Sequence, residues 1–249
     1  MVSTAKEISS AANSTFKELA SLVVSKGIQK NRSAIVSGEK FIQEIMKDHS
    51  ARVTTWITFD DTPPPASLAN WYRLSKPLFD ELDVFGTGKP LIVVTAPELP
   101  LYDEKLPWPN GCTLFIPFQN PDNCGAVIRT AAAFGVERIV LLKEAANPFH
   151  PKSTRAAGPA LFKVDMFRGP SIYDLTFENI PFVSLSGEGS SLTAFKFPQK
   201  FALIPGIEGP GVPDHLRSHA LSIPIRADVE SLNAATATAI ALYEWKRNL

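Results

Sequence analysis

The sequence predicts an α/β protein of two domains. Short β-branched runs alternate with amphipathic stretches along all 249 residues. This is the pattern of strands joined by helices, and it implies a mostly parallel sheet. Pro97, Pro100, Pro107 and Pro109, followed by Asn110-Gly111, make 97–110 the most heavily punctuated stretch. Proline donates no backbone hydrogen bond and pushes its neighbours towards extended conformations, so this stretch reads as an interdomain linker. The expected domains are 1–105, linker included, and 106–249. Hydrophobic residues make up 45% and charged residues 20%, ordinary values for a globular chain.

In the first domain, Thr15 and Glu18 have capping-box spacing and open a helix with Phe16, Leu19, Leu22 and Val23 on one face. Residues 33–36 form a short strand. Residues 38–47 are helical, with Phe41, Ile42, Ile45 and Met46 as the apolar stripe. Val53 to Phe59 is rich in β-branched and aromatic residues and reads as a strand. Residues 68–74 and 77–82 read as short helices, 91–94 as a buried strand, and Thr62-Pro63-Pro64-Pro65 as a loop. In the second domain, strands are expected at 113–118, 139–142, 162–167, 182–185, 201–204 and 220–223. Helices are expected at 124–134, capped by Asn123, and at 232–245.

Several function classes are excluded. Lys+Arg 25 balance Asp+Glu 25, which argues against gross electrostatic binding. The balance hides local bias: 129–168 holds seven bases against three acids, and 1–52 holds eight against five. Two such stretches suit a polyanion. Cys112 and Cys124 are too few for a disulfide scaffold and point to a reducing compartment. No apolar run reaches the ~18 residues of a membrane span, and the first twenty or so residues lack signal-peptide order. A cytoplasmic protein with no membrane association is the expectation. His49, His150, His215 and His219 are scattered, so no metal site is expected. Gly86-Thr87-Gly88-Lys89 is too short for a P-loop.

Three segments of the second domain look functional. In 120–130, a polar turn leads into an apolar helix that carries Arg129, flanked by Val127, Ile128, Thr130 and Ala131. A guanidinium buried there needs an anionic partner. In 203–211, Gly206, Gly209 and Gly211 follow a buried strand, so backbone can approach a ligand closely. The spacing is not that of a dinucleotide fingerprint, which removes a nicotinamide-dependent dehydrogenase. In 221–233, Ile223-Pro224 and Ser231-Leu232-Asn233 precede a helix rich in alanine and threonine.

Together these segments resemble the SpoU/TrmH family of RNA ribose methyltransferases in the SPOUT superfamily. The family motifs N-P-x-N-x-G-A-x-x-R-T, G-x-E-G-x-G and I-P followed by S-L-N are matched at 120–130, 206–211 and 223–233. Asp122 and Ile207 depart from the usual residues. The resemblance covers roughly 110–249. It extends more weakly to the first domain, which is similar to the family's L30e-like substrate-binding domain. It implies a deep trefoil knot, a homodimer, and S-adenosylmethionine held by Gly206, Ile223 and Leu232. It also implies methyl transfer to a ribose 2′-hydroxyl of ribosomal or transfer RNA. Arg129 is then the catalytic candidate, as a base or as an electrostatic stabiliser. Asn123, Glu208, Ser231 and Asn233 would orient Arg129, the ribose or the phosphate. Lys26, Lys30, Arg32, Lys152 and Arg155 are the expected RNA contacts. The competing reading is a catalytically inactive SPOUT-like RNA-binding protein, against which the retention of Arg129, Glu208 and Asn233 weighs.

Overall fold

Strand-forming and helix-forming segments condense into two units in the computed structural model, which describes residues 4–65, 68–178 and 180–247. One unit is Met1–Glu98 with Asn147–Pro159, and the other is Leu99–Ala146 with Ala160–Leu249.

The first unit contains β1 (Lys6–Ile8), α1 (Ser14–Ser21), α2 (Ser25–Asn31), β2 (Ser33–Val36), α3 (Glu39–Asp48), β3 (Val53–Thr58), β4 (Asn70–Leu74), α4 (Lys76–Leu82) and β5 (Leu91–Thr95). The sheet order is β1-β4-β3-β5-β2. β1, β4 and β3 run parallel, and β5 is antiparallel to both β3 and β2. The predicted apolar face of α1 enters a core with Ile35, Ile57, Leu74 and Phe79. Its cap is Asn13, whose side chain accepts from the Thr15 and Phe16 amides, and not Thr15. The stretch expected to be a helix at 68–74 contains a strand instead. Trp71 and Tyr72 are good strand formers, β4 finds a ladder partner on each side, and Trp71 Nε1 donates to Thr58 Oγ1 at 3.1 Å.

The second unit contains β6 (Gly111–Ile116), α5 (Pro121–Ala133), β7 (Arg138–Leu141), β8 (Asp165–Arg168), β9 (Phe182–Ser191), β10 (Lys200–Ile204), β11 (Ala220–Ser222) and a closing helix, Ala234–Arg247. Between β7 and β8 the chain supplies α6 (Pro151–Ala157) to the first unit, where it packs on β2. The closing helix is α7. The sheet is wholly parallel, in the order β11-β9-β10-β6-β7-β8. From β6 the chain steps outward to β7 and β8, then crosses to the other side. β6 and β10 therefore flank a switch point, where ligands of open parallel sheets bind beyond the strand carboxyl ends. β6 is buried from Cys112 to Ile116, as a strand covered on both faces must be.

The stretch read as a linker belongs largely to the second unit. The Tyr102 amide donates to the Arg168 carbonyl, and the Arg168 amide to the Pro100 carbonyl, both at 2.8 Å. Tyr102 and Trp108 pack on Phe115. Its aromatic residues outweigh its prolines. Among the described residues, no helix is long and apolar enough to cross a membrane.

Cys112 and Cys124 are both buried free thiols. Burial pushes Cys112 up, and burial aided by the Glu208 charge pushes Cys124 up to about 12. A raised thiol pKa keeps the unreactive protonated form. Both thiols should resist a disulfide reagent at about pH 8 in the folded protein and react once denaturant is added. Labelling of the native chain at either position would contradict this burial.

Candidate functional site

The site begins with a helix cap. Asn120 Oδ1 accepts from the Asp122 amide at 2.8 Å and the Asn123 amide at 3.4 Å, with Pro121 at the start of α5. The cap is thus Asn120, not Asn123 as expected. Proline is already suited to the first helical position, which places the cap at Asn120, three residues before Asn123. This frees the Asn123 side chain. Its Nδ2 donates to Glu208 Oε1, and its Oδ1 accepts from Asn233 Nδ2 at 3.2 Å. Glu208 Oε2 accepts from the Asn120 amide at 2.9 Å. Asn233 Oδ1 accepts from the Ala235 and Thr236 amides at 2.9 and 3.2 Å, capping α7.

The direction of this chain follows from its first member. An ionised carboxylate only accepts, so Asn123 must turn its amide nitrogen to Glu208. Its oxygen then faces the nitrogen of Asn233, whose own oxygen is left for the helix amides. Three segments distant in sequence are tied by one consistent set of donors and acceptors.

Glu208 is presented by a hairpin. Ile207 and Gly211 exchange two backbone hydrogen bonds, each at 2.9 Å. Ile207 and Val212 anchor its base in the core, which accounts for the apolar residue at 207. A Cβ on Gly206 would lie 2.7 Å from the Gly211 carbonyl carbon and 2.8 Å from its Cα. Glycine is required there by the closure of the loop on itself, whereas the sequence suggested ligand approach as the reason.

A cleft of about 1030 Å³ opens beyond the carboxyl ends of β10 and β11 and along the middle of β9. The expected cofactor residues Gly206, Ile223 and Leu232 line it, as do Asn123, Glu208, Ser231 and Asn233. Sequence reading missed its far wall. β9 runs on to Ser191, and its pairing with β11 jumps from Ala220↔Ser184 to Leu221↔Ser190. The extra residues bulge, so 185–188 line the cleft. Gly187 and Gly189 inside a strand were the available signal. Arg217 Nε donates to the Val212 carbonyl at 3.0 Å, and its guanidinium lies 3.6 Å from Glu188. Arg226 grips Asp228 through two hydrogen bonds of 2.9 and 2.7 Å, which hold that carboxyl below its usual range.

Arg129 is not among the lining residues. It is exposed on α5, so burial imposes no demand for a counter-ion, contrary to expectation. Neither Glu208, Ser231 nor Asn233 hydrogen-bonds to it; Glu208 and Asn233 hold Asn123 instead. The expected RNA contacts all fall in the first unit. Lys26 and Lys30 stand four apart on α2. Arg32 ends α2 in a left-handed conformation and lies 3.5 Å from Glu98, both side chains exposed. Lys152 and Arg155 lie on α6, with Arg155 over the Phe85 ring. Among the described residues, no group of three or more His, Cys, Asp or Glu is placed to hold a metal ion.

The chain is similar to known proteins. The model of the SpoU rRNA Methylase family matches residues 114–243. A protein of Syntrophobacter fumaroxidans named ribosomal RNA small subunit methyltransferase G 2 is 44% identical over 247 residues, 98% of this chain and 49% of that protein. The chain therefore spans about half the length of that relative. The Bacillus subtilis 23S rRNA (guanosine(2553)-2′-O)-methyltransferase RlmP is 31% identical over 248 residues, 96% of this chain and 98% of that enzyme. Among solved structures, an AdoMet-bound rRNA methyltransferase from Sinorhizobium meliloti has a TM-score of 0.79 at 21% identity, covering 98% of each chain. At that identity it shows the fold.

If the Glu208–Asn123 hydrogen bond ties the segments together, the two residues are energetically coupled. Asn123→Ala and Glu208→Ala, alone and combined, should give a coupling of ~0.5–3 kcal/mol in denaturant unfolding. Strictly additive losses would show that the contact contributes nothing.

Proposed function

The chain belongs to the SpoU rRNA methylase family, and from that premise we propose that it transfers a methyl group from S-adenosylmethionine to a ribose 2′-hydroxyl of structured RNA, ribosomal or transfer. The observation that carries this reading is the convergence of three segments on one cleft through Glu208, Asn123 and Asn233. The lining fits such a cofactor. Ile223, Leu232, Ile225 and Val229 supply apolar wall, and 205–212 supply backbone. A Cβ on Gly209 or Gly211 would meet nothing within 4 Å, so that backbone lies open.

Gly206, Ile223 and Leu232 would hold the cofactor, which supplies an electrophilic methyl group when bound. The protein's own part is to bring a 2′-oxygen to that methyl and to stabilise the charge that oxygen gains. A guanidinium offers only N–H donors. Arg129 therefore acts by gripping the adjacent phosphate and stabilising the developing alkoxide. Ser231, exposed at the cleft, orients the ribose. Asn123, Glu208 and Asn233 fix the loops around it.

Arg129 stands outside the cleft of its own chain, which fits a homodimer in which one subunit completes the site of the other. Small or half-exposed residues on α5 and α7 supply a docking face, and Tyr243 there is 55% exposed. β10 lies between β9 and β6, an order that supports reading the 205–232 crossings as the family's trefoil knot. The mixed sheet of the first unit supports an L30e-like domain that binds RNA through Lys26, Lys30, Arg32, Lys152 and Arg155. Cellular RNA as substrate implies a cytoplasmic enzyme.

Arg129→Ala should leave S-adenosylmethionine affinity near the parent value and slow single-turnover methyl transfer by at least ~100-fold at saturating RNA. Arg129→Lys should be nearly as slow, because it keeps the charge and loses the planar fork. Transfer by the alanine variant at the parent rate would remove Arg129 from the mechanism.

A further inference from the structure

We propose that Phe85 and Arg155 form a stacking site for an unpaired RNA base on the first unit, flanked by Lys89 and Lys152 as phosphate contacts. This rests on the reading of the chain as an RNA-modifying enzyme and specifies how its first unit holds the RNA.

The site is built around an inserted helix. Pro151, Ser153, Thr154 and Ala157 of α6 are buried. Lys152 and Arg155 are exposed, and their spacing of three places them side by side on the helix. The Arg155 guanidinium lies 5.1 Å from the centroid of the Phe85 ring. Among the described residues, no carboxylate pairs with it. The ring holds the guanidinium through a cation–π contact. Beneath the guanidinium is Gly38, where a Cβ would lie 3.3 Å from Arg155 Nη1.

The loop that carries Phe85 is preorganised. Asp83 is only 4% exposed. Its carboxylate accepts from Thr87 Oγ1 at 3.1 and 3.2 Å and from the Gly88 amide at 2.8 Å. The Asp83 carboxylate is therefore turned inward and occupied. Gly86 and Gly88 both take φ of +59°, and a Cβ at either would meet nothing within 4 Å. A flat ligand can approach that backbone. A lone phosphate needs cations but no ring. An aromatic ring, a guanidinium held over it and flanking lysines match what a single strand presents in alternation, bases and phosphates.

The test uses the full chain and two probes of roughly 12 nucleotides. One is oligoadenylate carrying a single 2-aminopurine, and the other is the same backbone with abasic sites. The parent should bind oligoadenylate and change the 2-aminopurine fluorescence. Phe85→Leu and Arg155→Lys should each weaken oligoadenylate at least ~5-fold, the lower end of losing one stacked base, and each should weaken the abasic probe clearly less. Arg155→Lys keeps the charge and the ring, so a folding defect of Phe85→Leu does not blur the result. Variants that bind oligoadenylate like the parent, or that lose both probes equally, overturn the site. Calorimetry with S-adenosylmethionine separates the two readings. A parent that binds the cofactor but no RNA overturns the stacking site alone, one that stacks RNA but binds no cofactor overturns methyl transfer alone, and one that binds neither overturns both.

Discussion

The hydrogen bond between Glu208 and Asn123 is the constraint on which the candidate site depends. The carboxylate also takes the Asn120 amide, so both of its oxygens are committed to the first turn of α5. The hairpin at 207–211 is thereby fixed against that helix. Asn123 passes the same polarity to Asn233, and Asn233 starts α7. Reversing any one amide would leave a donor facing a donor, and an unpaired polar group at a half-buried junction is costly. The network has one good arrangement, and that arrangement places the loops after β6, β10 and β11 together.

Around this junction, packing and charge divide the work. Ile207 and Val212 belong to the core, so the hairpin that carries Glu208 is anchored by apolar burial and only its tip is polar. On the opposite wall the β9 bulge is tied to the hairpin side by Arg217 through Val212 and Glu188. That ion pair is exposed and adds little stability alone; the bond to the Val212 carbonyl is what fixes the side chain. Among the described residues, Arg129 has no such tether.

Much of this was legible in the sequence, because periodicity and punctuation report local structure directly. The strands at 33–36 and 53–58 and the apolar faces of α1 and α3 follow from residue type and spacing. The motif residues Asn123, Gly206, Glu208, Ile223, Ser231, Leu232 and Asn233 all meet at one cleft. What escaped was set by tertiary context. β1 has only three residues and exists by pairing with β4. β4 itself has a helix-compatible sequence, and two ladders make it a strand. α6 is seven residues long and takes its place from burial against β2, which no local pattern in 147–159 announces. That insertion also moves Lys152 and Arg155 out of the domain to which sequence order assigned them. The cleft wall at 185–188 is a ladder irregularity, visible only once the partner strand is known.

The central claim is that these loops assemble a site for methylating ribose. The most direct measurement uses RNA from cells lacking this protein, incubated with the purified chain and S-adenosylmethionine carrying a deuterated methyl group. Nuclease digestion and mass spectrometry then locate the label. The claim predicts label in the ribose fragment of a nucleoside, with the neighbouring phosphodiester resistant to alkali because its 2′-oxygen is blocked. Label confined to a base, with that linkage still cleaved by alkali, would contradict it.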